Sequence, residues 1–73
     1  MSNKYRYITV IQQHYGQGWE DVSEYETDST GKPKEYTDKV NKYGRKISLL
    51  SHDLTEYRFT GYLTRTVQRK ELN

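Results

Sequence analysis

The sequence contains no cysteine, a single proline and no run of more than two purely apolar residues. Without cysteine there are no disulfides, thiolate zinc sites or cysteine nucleophiles. Without a long apolar run, the chain shows neither a signal-peptide core nor a membrane-spanning segment. We therefore expect a cytoplasmic protein that does not act in a membrane.

Aliphatic residues are also scarce. Leu, Ile, Val and Phe together make 13 of the 73 residues, which is below the level of about one fifth that is usual for folded chains. Eight tyrosines, one tryptophan and a net charge of only +2 compensate, because disordered chains are poor in aromatic residues and strongly charged. We predict one folded domain over residues 1–73, with tyrosine rings completing a small core.

Acidic and basic residues occupy separate segments of the chain. Five acids and no base lie from Glu20 to Asp28, whereas the segment from Lys32 to Lys46 holds six bases and two acids. Such segments usually form solvated surface in small domains. A nucleic-acid partner normally requires a stronger and less compensated positive field.

The first third of the chain predicts a β-hairpin. The segment from Tyr5 to Gln13 alternates with period two and has apolar residues on both sides, which is typical of a central strand. Gly16 and Gly18 permit a tight reversal. The acidic segment from Trp19 to Glu26 then predicts a second strand at a sheet edge, with its odd-numbered residues on one face.

A mobile loop is predicted over residues 27–36, and a helical stripe follows it. Apolar residues there recur at spacings of three and four, so we expect a weak helical turn before Gly44 and a firm helix from about Arg45 to Phe59. The stripe consists of Tyr36, Val40, Tyr43, Ile47, Leu50, Leu54 and Tyr57. In an alternative, Ser51 or Asp53 caps a shorter helix and residues 46–50 are extended.

The last strand is predicted from Leu63 to Leu72. The resulting order is ββαβ, an α+β fold with a three-stranded antiparallel sheet, the first strand in its centre and one helix packed on one face. We expect the opposite face to carry tyrosines and to be open to solvent or to a partner.

The segment from Val10 to Val22 resembles a hairpin of small uncharacterised proteins from tailed phages, prophages and plasmids. In those proteins, a strand ending in Val, Ile and Gln leads into Tyr, Gly, any residue, Gly, Trp, Glu, Asp and an aliphatic residue. They close with a helix, a glycine turn and a basic strand, matched here by Leu54, Glu56, Tyr57, Arg58, Gly61, Arg65 and Arg69. The resemblance omits Ser29 to Lys46. It implies an accessory role inside an infected bacterium, and no particular chemistry.

No residue pattern points to catalysis or to a metal. The Ser, His and Asp at 51–53 are the residue types of a hydrolase triad, but adjacent side chains on a helix diverge by about 100°. His14 and His52 lack metal-ligand spacing. Glu24 and Glu26 lie on an edge strand that has no cleft to hold a sugar. We therefore predict no enzyme, no cofactor and no metal site.

Two binding hypotheses remain. In the first, a non-enzymatic phage or mobile-element accessory protein binds a host protein through its sheet face or its glycine hairpin tip. The residues assigned to that site are Tyr15, Gly16, Gly18, Trp19, Tyr5 and Tyr7. The alternative is a small nucleic-acid-binding protein that stacks bases on Tyr5, Tyr7 and Tyr62 of an open sheet face. Its phosphate contacts would be Arg6, Arg58, Arg65, Arg69 and Lys70.

Simpler interpretations compete with both hypotheses. Trp19 would pack under the helix, and the arginine stems would lie across the tyrosine rings. A homodimer that pairs its open sheet faces is a third and weaker possibility.

Overall fold

A computed structural model describes residues 4–72 of the chain. The elements in order are β1 (Tyr5–His14), β2 (Trp19–Thr27), β3 (Tyr36–Val40), β4 (Lys46–Ser48), α1 (Leu49–Arg58) and β5 (Leu63–Leu72). Three strands form an antiparallel sheet in the order β2-β1-β5, and β3 and β4 form a separate two-stranded sheet. The helix packs on the three-stranded sheet. The predicted α+β fold with a central first strand is confirmed.

The core is built around β1. Because β1 pairs with β2 on one side and β5 on the other, its middle is shielded laterally as well as from above and below. Ile8, Val10, Ile11 and Gln13 are each no more than 2% exposed. The apolar residues on both sides of this segment therefore marked a central strand correctly.

A β-bulge changes which side of the sheet the start of β2 faces. The pairing of β2 with β1 shifts register between Ile11 and Gln12, so that Val22 has no partner. One extra residue reverses the alternation of side chains. Trp19 therefore faces the side opposite to Tyr25, and the prediction that the odd-numbered residues of β2 share one face is wrong.

Residues 36–48 form a β-hairpin, not the predicted helical turn. Its turn is held by Asn41, whose side-chain oxygen accepts hydrogen bonds from the backbone N–H groups of Tyr43 and Arg45. Gly44 has a φ of 79°, in the left-handed region that favours glycine. These local turn residues outweigh the spacing of three and four that predicted a helix.

The helix begins at Leu49, later than the predicted start at Arg45. Ser48 caps it, because its side-chain oxygen accepts the backbone N–H of Ser51. The alternative with a shorter helix and an extended segment before it is closer to the structure, but its cap at Ser51 or Asp53 is wrong. Within residues 4–72, no helix is both long and apolar enough to cross a membrane.

The helix covers the face of the sheet that carries the N-terminal tyrosines. Gln13 of β1 hydrogen-bonds to the α1 carbonyl of Tyr57, which places Gln13 on the covered face. Tyr5 and Tyr7 lie an even number of residues before Gln13 on the same strand, so they share that face. The expectation that the open face carries the tyrosines is wrong. We call the other side of the sheet, with Ile8, Val10 and Gln12, the open face.

Residues 28–34 form a hydrogen-bonded turn. The Asp28 carboxylate accepts hydrogen bonds from the backbone N–H and the hydroxyl of Thr30 and from the N–H of Lys32. The hydroxyl of Thr30 is the main reason why the pKa of Asp28 is lowered. Pro33 forms a β-bridge with Thr27 at the end of β2. The predicted mobility of residues 27–36 stays a prediction.

Candidate interaction surfaces

Two turns meet at one end of the three-stranded sheet. In the strand register, His14 lies opposite Trp19 on one side and Leu63 on the other. The turn between β1 and β2 and the turn between α1 and β5 therefore lie side by side. Four large apolar side chains are exposed here, and we call them the apolar end. They are Tyr15 (44% exposed), Phe59 (85%), Tyr62 (52%) and Leu63 (69%).

The buried amide of Gln13 holds these two turns together. Its Nε2 lies 3.0 Å from the carbonyl oxygen of Tyr57, 2.9 Å from Thr60 Oγ1 and 3.3 Å from Thr64 Oγ1. Its Oε1 accepts the hydroxyl of Tyr15 at 2.6 Å. One side chain thus fixes the end of α1, the start of β5 and the first turn relative to one another.

The rings at the apolar end are also packed against each other. The Tyr15 and Tyr62 centroids are 4.7 Å apart with an interplanar angle of 85°, which is a favourable edge-to-face arrangement. The backbone N–H of Gly16 donates to Nδ1 of His14 at 3.0 Å, so the β1–β2 turn has its own anchor. The exposed rings therefore project from a rigid base.

Trp19 lies on the open face, and it does not pack under the helix. The Arg65 guanidinium carbon sits 4.1 Å from the centroid of the Trp19 ring, a cation–π contact. Arg65 Nε donates to Oε1 of Gln12 at 2.9 Å. The edge of the His14 ring meets the indole with centroids 5.4 Å apart. Trp19 is therefore partly covered by its own chain.

An ion pair crosses the open face diagonally. Arg69 lies opposite Ile8 in the register and Asp21 lies opposite Gln12, yet Nη1 and Nη2 of Arg69 reach the two Asp21 oxygens at 2.6 and 3.0 Å. Val10 occupies the midpoint of that diagonal and is completely buried. The arginine stem therefore shields an apolar side chain on a face that has no helix.

The ion pair shifts the pKa values of both Asp21 and Arg69. The hydrogen bond from Arg69, followed by that from Gln12, lowers the pKa of Asp21. The same carboxylate raises the pKa of Arg69. Both groups are therefore ionised at neutral pH, and the open face carries a partly exposed ion pair.

The predicted partner-binding residues divide between opposite ends of the sheet. Tyr15, Gly16 and Gly18 lie in the turn beside the apolar end, and Trp19 follows them. Tyr5 and Tyr7 lie at the far end of β1, and Lys70 Nζ stands 4.1 Å above the Tyr5 ring. Tyr5 and Tyr7 border a surface cleft of about 420 Å³ that is lined by both acidic and basic residues. Its lining residues are Lys4, Tyr5, Arg6, Tyr7, Glu26, Thr27, Asp28, Ser29 and Lys34.

The residues of the nucleic-acid hypothesis also fall on different surfaces. Arg6, Arg65 and Arg69 share the open face, whereas Lys70 shares the covered face with Tyr5 and Tyr7. Arg58 lies in the last turn of α1. Because Arg69 is already paired with Asp21, the open face offers fewer free cations than the sequence suggests. Arg65 and Arg69 thus lie on the face opposite to Tyr5 and Tyr7, whereas Arg6 lines the same cleft as both tyrosines.

A polar cluster joins α1 to β2. The Tyr25 hydroxyl accepts from Ser23 at 2.7 Å and donates to Asp53 Oδ2 at 2.5 Å. His52 Nδ1 lies 3.0 Å from Asp53 Oδ1. Burial, and then the bond to Asp53, raises the pKa of Tyr25 to about 12. The Tyr25 hydroxyl, and then His52, lowers the pKa of Asp53.

The same cluster contains a set of possible metal ligands. One atom each from His52, Asp53 and Glu56 lies within 4.8 Å of the other two. Both oxygens of Asp53 already have hydrogen-bond partners in the protein. The hydrogen bonds to Tyr25 and His52 are enough to explain why this carboxylate lies here, so the cluster is a structural link between helix and sheet.

Sequence reasoning missed two residues of the apolar end. The sequence pattern places Phe59 at the end of a helix and Leu63 at the start of a strand, and both side chains are largely exposed. The available signal was the run of apolar residues on both sides of Gly61, where a turn must reach the surface.

No known protein family, curated protein or solved structure matches the chain in the comparisons made.

Proposed function

We propose that this protein is a non-enzymatic interaction module that binds a protein partner through its apolar end. The observation that carries the proposal is the group of four exposed apolar side chains on two turns that Gln13 ties together. The resemblance of the β1–β2 hairpin to phage and plasmid proteins supports a host protein as the partner and the bacterial cytoplasm as the place of action.

The composition of the apolar end favours a protein partner. Aromatic residues are enriched at the centres of protein interfaces, where they fill pockets of the partner. Tyr15, Phe59 and Tyr62 supply three such rings next to Leu63. Large apolar groups exposed together mark interaction sites more often than they serve stability.

The rigid base of the apolar end would also favour binding. Association costs free energy for ordering loops and side chains. Gln13 already orders both turns, and the Tyr15 hydroxyl is held by Gln13 Oε1. A partner would therefore meet side chains close to their bound arrangement, which reduces the ordering cost.

The alternative of a nucleic-acid binder has weaker support. Stacking and phosphate contacts need aromatic and basic groups on one surface. Lys4 and Lys70 do lie beside Tyr5, but Arg65 and Arg69 lie on the opposite face, and Arg69 is already paired with Asp21. A measured affinity for single-stranded nucleic acid that falls steeply from low to moderate salt would favour this alternative.

A matched pair of leucines tests the leading proposal. Leu63 and Leu72 lie at opposite ends of β5 and are 69% and 70% exposed. We expect Leu63→Ser to reduce capture of the partner from a bacterial lysate by about tenfold or more. Leu72→Ser should leave capture unchanged. Phe59→Ser, at the most exposed residue of the apolar end, should repeat the loss.

Quantitative mass spectrometry measures which proteins the tagged chain retains and in what amounts. Circular dichroism confirms that each variant is folded. Equal losses in both leucine variants would assign binding to β5 as a whole. Retention of the partner by Leu63→Ser and Phe59→Ser would overturn the proposal.

A further inference from the structure

The two outer edges of the three-stranded sheet differ in how they are protected. The outer edge of β2 is covered in two places. The backbone N–H of Lys34 donates to the carbonyl of Glu26, and the Tyr57 hydroxyl donates to that of Val22. The β2 strand also carries the bulge. Within residues 4–72, no group outside β1 and β5 hydrogen-bonds to the backbone of β5.

The β5 strand is also unusually regular for an edge. It pairs with β1 through ten consecutive residues without a register shift, and it contains neither proline nor glycine. Natural edge strands are usually shortened, bulged, covered, charged or broken by proline, because a free edge is a template for another strand. Of these devices β5 has only charge, at Arg65, Arg69, Lys70 and Glu71, which restricts the partner to a strand of matching charge. The open edge of β5 therefore fits a strand partner.

We propose that β5 pairs antiparallel with β5 of a second copy, centred on Gln68. The pairing joins the two sheets into one six-stranded sheet with a two-fold axis perpendicular to it. It does not depend on the function proposed above, because it uses the backbone edge of β5. The apolar ends of the two copies lie at opposite ends of the dimer, and Leu72 of each copy lies opposite Thr64 of the other.

The charges of β5 select this register. In a two-fold pairing centred on Val67, Arg65 of each copy lies opposite Arg69 of the other. A pairing centred on Arg65, Arg69 or Lys70 places that residue opposite itself. Centring on Gln68 puts Arg65 opposite Glu71, and the two-fold axis repeats this pair. Opposite charges directly across a strand pair stabilise it, and like charges destabilise it.

The contacts that Arg65 makes within its own chain agree with the register centred on Gln68. Arg65 contacts the neutral side chains of Trp19 and Gln12 and has no carboxylate partner within residues 4–72. Both Arg65 and Glu71 lie on the open face, since they pair with Gln12 and Arg6 of β1. A pairing centred on Thr66 also avoids like charges, but it forms no ion pair.

Single-cysteine variants test the register directly, because the chain has no cysteine of its own. In the proposed dimer, residue 68 lies opposite its own copy, within disulfide reach. The two copies of residue 66 lie about 13 Å apart along the strand. Under mild oxidation, Gln68→Cys should form a covalent dimer at least about tenfold faster than Thr66→Cys. Equal rates, or a faster reaction of Thr66→Cys, would overturn the register.

Charge reversal tests the same interface at equilibrium. We expect wild type to sediment as a dimer, and Glu71→Arg and Arg65→Glu each to raise the dissociation constant by about tenfold. Mixing the two variants restores opposite charges at both positions, so the mixture should again form dimers. A wild type that remains monomeric at millimolar concentration, or dimers unaffected by either reversal, would refute the proposal. Glu71→Arg changes an exposed residue, which keeps the test independent of folding.

Discussion

The three-stranded sheet and the layer that covers it differ sharply in burial. Eight buried residues belong to β1 and β2, whereas β3, β4 and α1, which we call the covering layer, contribute only Ser48. No residue of α1 is fully buried. The difference indicates that the sheet carries most of the stability. Within the covering layer, α1 packs on one face of the sheet, and β3 and β4 pack against α1 and present side chains to solvent.

The scarcity of aliphatic residues explains this division. A chain of this length buries a small fraction of its surface, and three of its aliphatic residues, Ile8, Val10 and Ile11, are concentrated in β1. The covering layer instead exposes apolar groups, such as Val40 (57%) and Tyr43 (75%). The effects of mutations on the free energy of unfolding should therefore differ between the two regions in size, in pH dependence and in sign.

The largest effect is expected from the same truncation made in each region. Ile11 is completely buried in β1, and Ile47 is only partly buried in β4. Ile11→Ala should lower the free energy of unfolding by about 2–5 kcal/mol, because it removes packed methyl groups and leaves a cavity. Ile47→Ala should cost less than about 1.5 kcal/mol. Urea denaturation followed by circular dichroism measures both.

A chain of this size has only about 4–10 kcal/mol of stability, so Ile11→Ala is expected to remove a large fraction of it. If Ile47→Ala were as destabilising as Ile11→Ala, the covering layer would be part of the core and the contrast between the two regions would be lost.

The sheet was the predictable part of the fold. Period-two alternation and apolar residues on both sides identified β1 as central, and the glycine pair identified the hairpin. The covering layer was not predictable in the same way. Apolar residues at 36, 40, 43 and 47 satisfy a helical spacing by coincidence, because Asn41 and Gly44 turn the chain back between β3 and β4.

The candidate site was harder to predict, because it depends on which side of the sheet a residue faces. The bulge at Val22 puts Trp19 on the open face, and a single unpaired residue leaves no mark in the alternation of the sequence. The position of Gln13 under the helix likewise determines the face of Tyr5 and Tyr7. The contact between Tyr25 and Asp53 joins residues far apart in the chain.

A smaller effect is expected where the two regions are joined, at the hydrogen bond from Tyr25 of β2 to Asp53 of α1. Tyr25→Phe should lower the free energy of unfolding by about 1–3 kcal/mol at neutral pH, since the acceptor is charged. Chemical denaturation at a series of pH values measures the difference between variant and wild type.

That difference should depend on pH in two directions. The lowered pKa of Asp53 means that its contribution is present above the ordinary value of 3.8 and is lost as pH falls through the folded-state pKa. The pKa of Tyr25 is raised from 10.0 to about 12. Its contribution is therefore full below pH 10 and is lost as pH rises toward 12.

Tyr57→Phe is the matched control for this prediction. Its hydroxyl also links α1 to β2, but it donates to the neutral carbonyl of Val22 at 3.3 Å. We expect a loss below about 1 kcal/mol that stays constant between pH 4 and pH 10. A Tyr25→Phe difference with no pH dependence would contradict the proposed role of the Asp53 charge.

The smallest expected changes in the free energy of unfolding have opposite signs in the two regions. Thr9 is buried in β1, and its Oγ1 has no hydrogen-bond partner within residues 4–72. Thr37 of β3 instead donates its hydroxyl to the carbonyl of Ile47 at 2.8 Å. Both changes to Val keep the branched shape that suits a strand and replace the hydroxyl with a methyl group.

Thr9→Val should therefore raise the free energy of unfolding by about 1 kcal/mol, because a buried polar group without a partner is costly. Thr37→Val should lower it by about 1 kcal/mol, because it removes the bond to Ile47 and the bond that Thr37 Oγ1 accepts from the backbone N–H of Lys39. Thermal unfolding of the two variants beside wild type is sensitive enough, since 1 kcal/mol shifts the midpoint by about 4–8 °C in a domain of this size. A destabilised Thr9→Val would mean that the Thr9 hydroxyl has a partner in solution, and that the sheet interior is less dry than its burial indicates.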